Sequence, residues 1–344
     1  MTGSDYPGRV DVLVAGAGPA GLTVALHLAG SGMDVLVVDS RRRIGSPVRC
    51  SGLVEPPFFR VLGEEPRPDW IRWQLQSGEL ALDRERMEYG LSGVLAGRGV
   101  HVRPATAVSA VGPFDNGGRE VALAHDGGTS LVRAGCVVAA DGAPSSVARL
   151  AGLDTRLPVG DCATCFGWEL EDARVADRGV YHVEPLPDPY PGYPFLFWVL
   201  ATGEDSANVG LAVRGHHGYR AKRLAERMLE ETDACHGGRI VRTILGFLPL
   251  PRPLNPPYTD GLLVCGTAAR LVDPLKGAGI LHAAASGRVA AMTLRGLEGL
   301  EATSERLASY QQGIAPIVGR IYSRWQTWER CRGRCDFFDL MMNG

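Results

Sequence analysis

Three glycine-rich segments, far apart in the chain, carry most of the chemistry this sequence can do. The first is Gly16-Ala-Gly18-Pro-Ala20-Gly21. Asp11-Val-Leu-Val-Ala15 feeds into it and reads as a strand. Leu22, Ala25, Leu26 and Leu28 then recur at helical spacing until Gly30 and Gly32. Asp34-Val-Leu-Val-Val38 reads as a second strand, closed by Asp39 and Ser40. In such a unit Gly16 permits the tight turn, Gly18 lets backbone N–H groups approach a pyrophosphate, and Gly21 lets the helix pack on the strand. Asp39 stands 18 residues past Gly21, where an acid can accept hydrogen bonds from an adenosine ribose. The unit predicts a bound dinucleotide and leaves NAD and FAD open.

The other two segments narrow that choice. Cys136-Val-Val-Ala-Ala140 reads as a strand and leads into Asp141-Gly142-Ala-Pro-Ser145-Ser146. Gly261-Leu-Leu-Val-Cys265 reads as another and leads into Gly266-Thr267-Ala-Ala269. Asp273-Pro-Leu-Lys276-Gly277-Ala278-Gly279-Ile280 follows, then an apolar run to Ala291. These residues resemble the FAD-dependent geranylgeranyl reductase family, within the wider class of hydroxylase-type flavoproteins. In that class an Asp-Gly segment and a late Gly-Asp-Ala-Ala segment approach the FAD. The resemblance covers roughly residues 9–300 and implies FAD contacts at Asp141, Gly142, Gly266 and Thr267.

Further stretches resemble the reductases in particular. Ile44-Gly-Ser-Pro47-Val-Arg49-Cys50 is similar to their Pro-x-x-Cys segment beside the flavin, which places Arg49 and Cys50 there. Leu82-Asp83-Arg84 is similar to their Asp-Arg helix start, which places Arg84 at the cofactor. Tyr193-Pro-Phe195-Leu-Phe197 resembles their aromatic motif, with Phe195 where the family usually has Trp, and Ala207–Leu211 the strand after it. One departure is chemical. Thr267 replaces the aspartate that bonds the ribityl chain, and so offers one hydroxyl and no charge-assisted bond. A second is length: the tail is short where relatives carry a longer C-terminal region, which leaves open a reduced substrate cover or completion by a partner.

With FAD, hydride moves through flavin N5, and a reacting carbon must sit about 3–3.5 Å away. The loop from Asp273 to Ile280 should present N–H groups of Gly277, Ala278 and Gly279 to the flavin N1 and C2 carbonyl, at a helix N-terminus. Lys276 is read either as a stabiliser of anionic reduced flavin or a substrate oxyanion, or as a solvated loop lysine. Cys50 is read as a proton donor or pocket liner, or as an inert buried thiol. Tyr193, Phe195 and Phe197 share one strand face by period two, with Trp168 and Trp198 adding apolar area. That face suits an isoprenoid or a flat aromatic, or else is ordinary core. Cys162 and Cys165 point to opposite faces of a strand, which favours packing over a zinc or redox pair. Cys331 and Cys335 have no accompanying histidine pattern, so no metal is expected.

Three functions follow. The first is an FAD-dependent reductase or dehydrogenase acting on C=C or C–C bonds of a lipophilic small molecule. The second is a flavin monooxygenase using O₂ and NAD(P)H, the nicotinamide visiting transiently because the chain holds no second Gly-x-Gly-x-x-Gly. A halogenase is the weaker branch, for Trp-x-Trp-x-Ile-Pro is absent. The third is a flavin-binding or partner subunit without turnover.

The elements that must hold these residues form an α/β architecture. A Rossmann-type FAD-binding domain is expected from residues 1–155 and 256–300, with an antiparallel β-sheet substrate domain inserted at 156–255 and a helical C-terminal segment at 301–344. Strands are expected at Cys162–Glu171, Gly179–Glu184, Tyr193–Ala201, Ser206–Val213 and about Arg239–Leu248, with a helix at about Tyr219–Thr232. A Pro-rich connector (Pro249 to Pro257) leads back.

Composition sets the outer bounds. Glycine is 45 of 344 residues without a collagen period, and the apolar fraction of 45% excludes a largely disordered chain. A net charge of −2 leaves no electrostatic footprint for nucleic acid. Eight scattered cysteines and no basic leader read as reduced thiols and a cytoplasmic protein. The apolar run Val10–Gly30 is broken by glycines and suits a buried strand-turn-helix better than a membrane span. Peripheral membrane contact and oligomeric state stay open.

Overall fold

The β-branched run at the start of the chain becomes the buried centre of the molecule. In this computed structural model, which describes residues 6–185 and 196–331, Arg9–Ala15 is a strand with parallel neighbours on both sides. Val35–Val38 lies on one side and the end of Gly128–Ala139 on the other. His101–Arg103 and Leu262–Val264 extend this parallel sheet outward. Two antiparallel strands, Thr106–Asp115 and Gly118–His125, continue from Gly128–Ala139. Val12, Val14, Leu36 and Val37 are fully buried, which explains their near-continuous apolar character: both faces of a parallel sheet are covered.

Among the described residues seven α-helices cover and flank the sheets: α1 (Pro19–Leu28), α2 (Phe58–Leu62), α3 (Arg84–Gly97), α4 (Ser146–Leu150), α5 (Ala221–Glu231), α6 (Ile280–Arg295) and α7 (Ser304–Cys331). Helices α1 and α6 pack closely because small residues face each other. A Cβ on Gly287 of α6 would stand 2.4 Å from the Ala20 carbonyl oxygen. A small sheet of Leu53–Val54, Leu80–Leu82 and Ile71–Gln74 bridges toward the second domain.

That second domain is a five-stranded antiparallel sheet. Its strands, in spatial order, are His182–Pro185, Leu196–Ala201, Ala207–Arg214, Cys162–Val175 and Cys235–Pro249. Helix α5 covers one face, burying Leu224, Ala225 and Met228 against Trp168, Val209 and Leu211. The opposite face meets Val272 and Leu275 of the late glycine segment, and Trp328 of α7. The helix expected from Tyr219 begins as a 3-10 turn at Gly215–Arg220 and becomes α-helical at Ala221.

The C-terminal segment is a structural wall. Leu307, Tyr310, Ile314, Ile321 and Trp328 of α7 are all buried. The Tyr310 hydroxyl donates to the Val264 carbonyl at 2.8 Å, tying α7 to the strand that precedes Gly266. Among the described residues no helix is long and apolar enough to cross a membrane.

Candidate functional site

The first glycine turn builds a cradle. Gly16 adopts φ +108°, and a Cβ there would stand 2.3 Å from the Ala140 oxygen, so only glycine fits. Gly21 fills the packing role: its Cβ would meet the Gly16 oxygen at 1.9 Å. Gly18 differs, for nothing lies within 4 Å of the Cβ it lacks. Its open side faces a cavity of about 480 Å³. Gly18 also caps α1 without a side-chain bond, and the first turn of α1 holds no acid. The N–H groups of Ala20 and Gly21 thus lack an intrahelical partner at the positive end of a helix dipole.

That one cavity gathers residues from across the chain. Gly16, Gly18, Ala20, Asp39, Ser40, Arg49, Arg84, Asp141, Gly142 and Thr267 all line it. Arg41, which motif reading passed over, lines it too. Its guanidinium grips Asp39, Nε to Oδ1 at 2.9 Å and a terminal nitrogen to Oδ2 at 2.8 Å. Asp39 also accepts from the Ala17 amide at 2.7 Å. Burial raises the Asp39 carboxyl, but the Arg41 hydrogen bonds and charge outweigh it and hold the group below the usual carboxylate range. Arg41 also reaches Glu88 of α3 at 3.3 Å, and Arg84 reaches the same carboxylate from one turn away, Nε to Oε1 at 2.9 Å. A long-range ion pair of this kind leaves no local motif for a reader of sequence to find.

The Asp-Gly turn works through its backbone. Gly142 has φ +83° and an open Cβ side. The Asp141 carboxylate accepts from the Ser146 and Val147 amides at 2.8 and 3.0 Å, and so caps α4. Gly266 is buried, its amide donating to Ser286 Oγ at 2.9 Å.

Cys50 and the loop from Asp273 to Ile280 lie outside the lining of that cavity. Gly279 caps α6 with no side-chain bond. Two readings are corrected here. The Gly277 amide, expected at the flavin, donates to the Asp273 carbonyl at 2.9 Å. The Asp273 carboxylate is taken up by the loop itself, accepting from the Leu275 and Lys276 amides at 2.8 and 3.1 Å, with Arg324 of α7 at 3.4 Å. It shapes the loop and does not face the cofactor cavity. Lys276 is exposed on the loop surface, where water solvates its charge.

The aromatic face also needs correction. Tyr193 and Phe195 lie outside the described residues. Phe197 is fully buried among Val209, Leu211 and Leu224, on the α5 side of the sheet, because odd positions of that strand turn toward α5. Trp168 shares that side. Trp198 takes the other face, with Cys165, Val183 and Leu248. Its ring extends over Gly210, and its indole N–H donates to Asn208 Oδ1 at 2.9 Å.

Cys50 sits where the two halves meet. The Gly52 amide donates to its sulfur at 3.5 Å, and the sulfur lies beside the Arg84 guanidinium. Burial, with a smaller contribution from Cys50, pushes the Cys165 thiol up to about 12 and raises the Tyr181 phenol. Both stay protonated near neutral pH. Cys162 donates to the Pro158 carbonyl, a packing role, and the six cysteines whose side chains are described are free. His282, on the first turn of α6, has its pKa lowered, chiefly by burial, which favours the neutral imidazole. Among the described residues no group of three His, Cys, Asp or Glu is placed to hold a metal.

The donor set fits FAD. A diphosphate matches the uncapped α1 N-terminus and the open side of Gly18. An adenosine ribose matches the Asp39 end of the cavity. Arg41 and Arg84 match the anionic middle.

Comparison with known proteins agrees. The FAD dependent oxidoreductase family profile matches residues 11–91. The digeranylgeranylglycerophospholipid reductase of Methanosphaerula palustris is 32% identical over 91% of this chain and 84% of the relative. Enzyme 1 of that name from Methanopyrus kandleri is 32% identical over 92% of this chain and 86% of the relative. A geranylgeranyl bacteriochlorophyll reductase-like structure from Thermoplasma acidophilum superposes with TM-score 0.88 at 25% identity, covering 97% of this chain and 90% of that one. The anhydrotetracycline hydroxylase of Streptomyces rimosus shares the fold, with TM-score 0.69 at 19% identity over 97% of this chain and 72% of that one. The reading as a non-catalytic flavin-binding subunit is thereby set aside. With its cradle, its arginine-lined cavity and its thiol between two domains, the chain belongs to the digeranylgeranylglycerophospholipid reductase family of FAD-dependent oxidoreductases.

Proposed function

We propose that this protein saturates C=C bonds of an isoprenoid chain carried on a lipid. Bound FAD, once reduced, supplies a hydride to one carbon of the double bond. The other carbon needs a proton, and Cys50 is the group we assign to deliver it. The observation that carries this reading is the position of Cys50. It lies beside Arg84, which lines the FAD cavity, and follows Arg49, whose carbonyl oxygen would stand 2.9 Å from a Cβ on Gly246 in the sheet of the second domain. Arg84 is a fixed cation beside the sulfur that offsets the charge left when the proton departs.

The apolar face fits a lipid chain. Trp198, Val183 and Leu248 present hydrocarbon there, beside Val272, Leu275 and Trp328. The names of the relatives point to a lipid with isoprenoid chains as the substrate. NAD(P)H is the proposed electron donor, as a visiting reductant. The free thiols support action in a reducing compartment such as the cytoplasm, with substrate drawn from a membrane surface.

The test uses purified FAD-loaded protein reduced under anaerobic conditions. Re-oxidation by a geranylgeranyl lipid, with the product about two mass units heavier for each bond reduced, supports the proposal. No re-oxidation by the lipid, together with oxygen insertion into an aromatic substrate under air and NAD(P)H, overturns it in favour of a monooxygenase. Loss of saturation in Cys50→Ser at unchanged FAD content supports the role of the thiol.

A further inference from the structure

We propose that Glu88 is a positioning residue for the cofactor: one buried carboxylate that fixes Arg41 and Arg84 as a pair of aimed cations on the wall of the FAD cavity. The proposal rests on the FAD site described above and adds a residue that no motif in the sequence marks.

Glu88 is fully buried on α3, next to Met87 and one turn before the equally buried Leu91. An apolar side chain would fill that space at less cost, because a buried carboxylate must be fully paired. It is paired on both oxygens. Oε1 accepts from Arg84, through Nε at 2.9 Å and through a terminal nitrogen. Oε2 accepts from Arg41 at 3.3 Å. The two arginines come from different parts of the chain, one from the loop after the second strand and one from the start of α3. Glu88 therefore links two walls of one cavity.

The chain of contacts runs further at both ends. Arg41 continues to Asp39 and to the Ala17 carbonyl, at the adenosine end. Arg84 continues to Cys50, at the end where the two domains meet. Asp39, Arg41, Glu88 and Arg84 carry charges that sum to zero. The wall thus has no excess of positive charge; its value to a diphosphate is the direction of its N–H donors. Arginines with free rotamers would lose conformational entropy when the ligand binds, and Glu88 removes that loss in advance.

This makes two roles distinguishable. If Glu88 merely neutralised charge, removing its charge would raise the positive potential and tighten FAD binding. If it positions the arginines, removing it loosens FAD. The test is Glu88→Gln, in protein stripped of FAD and titrated with FAD by flavin fluorescence. The expected result is a Kd raised about tenfold or more, the loss for one misaligned charge-assisted bond. The second readout is the energetic coupling between Glu88 and the two arginines it holds. In an Arg41→Met/Arg84→Met background, Glu88→Gln should add no further loss of FAD affinity.

An unchanged or lower Kd in Glu88→Gln, or an undiminished loss in the double-methionine background, overturns the proposal. If Glu88→Gln does not fold, Arg84→Lys carries the same test, since lysine keeps the charge but not the fork. An unchanged Kd there also overturns it. Wild-type protein that fails to bind FAD would instead overturn the cofactor site itself.

Discussion

Trp198 and Gly210 face each other on paired strands and share one space: a Cβ on Gly210 would stand 2.7 Å from Trp198 Cζ2. The same atom would meet two backbone atoms, the Phe166 oxygen at 2.8 Å and Gly167 Cα at 3.0 Å. The missing side chain lets the indole extend over the sheet where the lipid chain is proposed to lie. Gly210→Ala should cost about 1–3 kcal/mol by overpacking, read as a lower Tm and a shifted tryptophan emission, with FAD affinity retained. An unshifted Tm and emission would mean that Trp198 is not held by this glycine.

Two glycines of one motif should fail in different ways. Gly21→Ala puts a Cβ 1.9 Å from the Gly16 oxygen, and should lower the Tm of FAD-free protein by several degrees. Gly18→Ala meets nothing within 4 Å, and should leave that Tm alone while raising the FAD Kd. Thermal scans with and without FAD separate the two.

The Asp39–Arg41 pair predicts a pH dependence. The folded pKa of Asp39 lies below its unfolded value, so its stabilisation is full above about pH 4 and fades as pH falls through the lower, folded pKa. Asp39→Asn should therefore lower the Tm of FAD-free protein at neutral pH, with a gap to wild type that narrows in acid below about pH 4. A gap independent of pH would assign the loss to packing.

Arg324 of α7 reaches across to Asp273, in the loop that ends at the α6 N-terminus. Arg324→Gln should speed hydrogen exchange across residues 273–279 with a change in Tm of only a few degrees, since the arginine is itself partly exposed. Unchanged exchange would show that the loop needs no help from α7.

Much of the site was legible because its signals are local. Gly16, Gly18, Gly21 and Asp39 sit at fixed offsets in one strand-turn-helix-strand unit, and the backbone geometry of that unit is the same wherever it occurs. The Asp83-Arg84 helix start was legible for the same reason: Asp83 caps α3, accepting from the Arg86 amide at 3.0 Å. Phe197 was misread because period two gives which side chains share a face, not which face meets the site. Asp273 was misread because its competitors for hydrogen bonds, two loop amides and a distant arginine, appear only once the chain has closed.

The sequence by itself determined the α/β class, the dinucleotide cradle and the strands of the second sheet, since each rests on spacing within a short stretch. The tertiary structure alone decided that Arg41 and Arg84 share Glu88, that Cys50 lies beside Arg84, and that α7 braces the late glycine loop. Those contacts join residues from separate segments, and they exist only because burial leaves a charged or polar group no partner except one the fold brings to it.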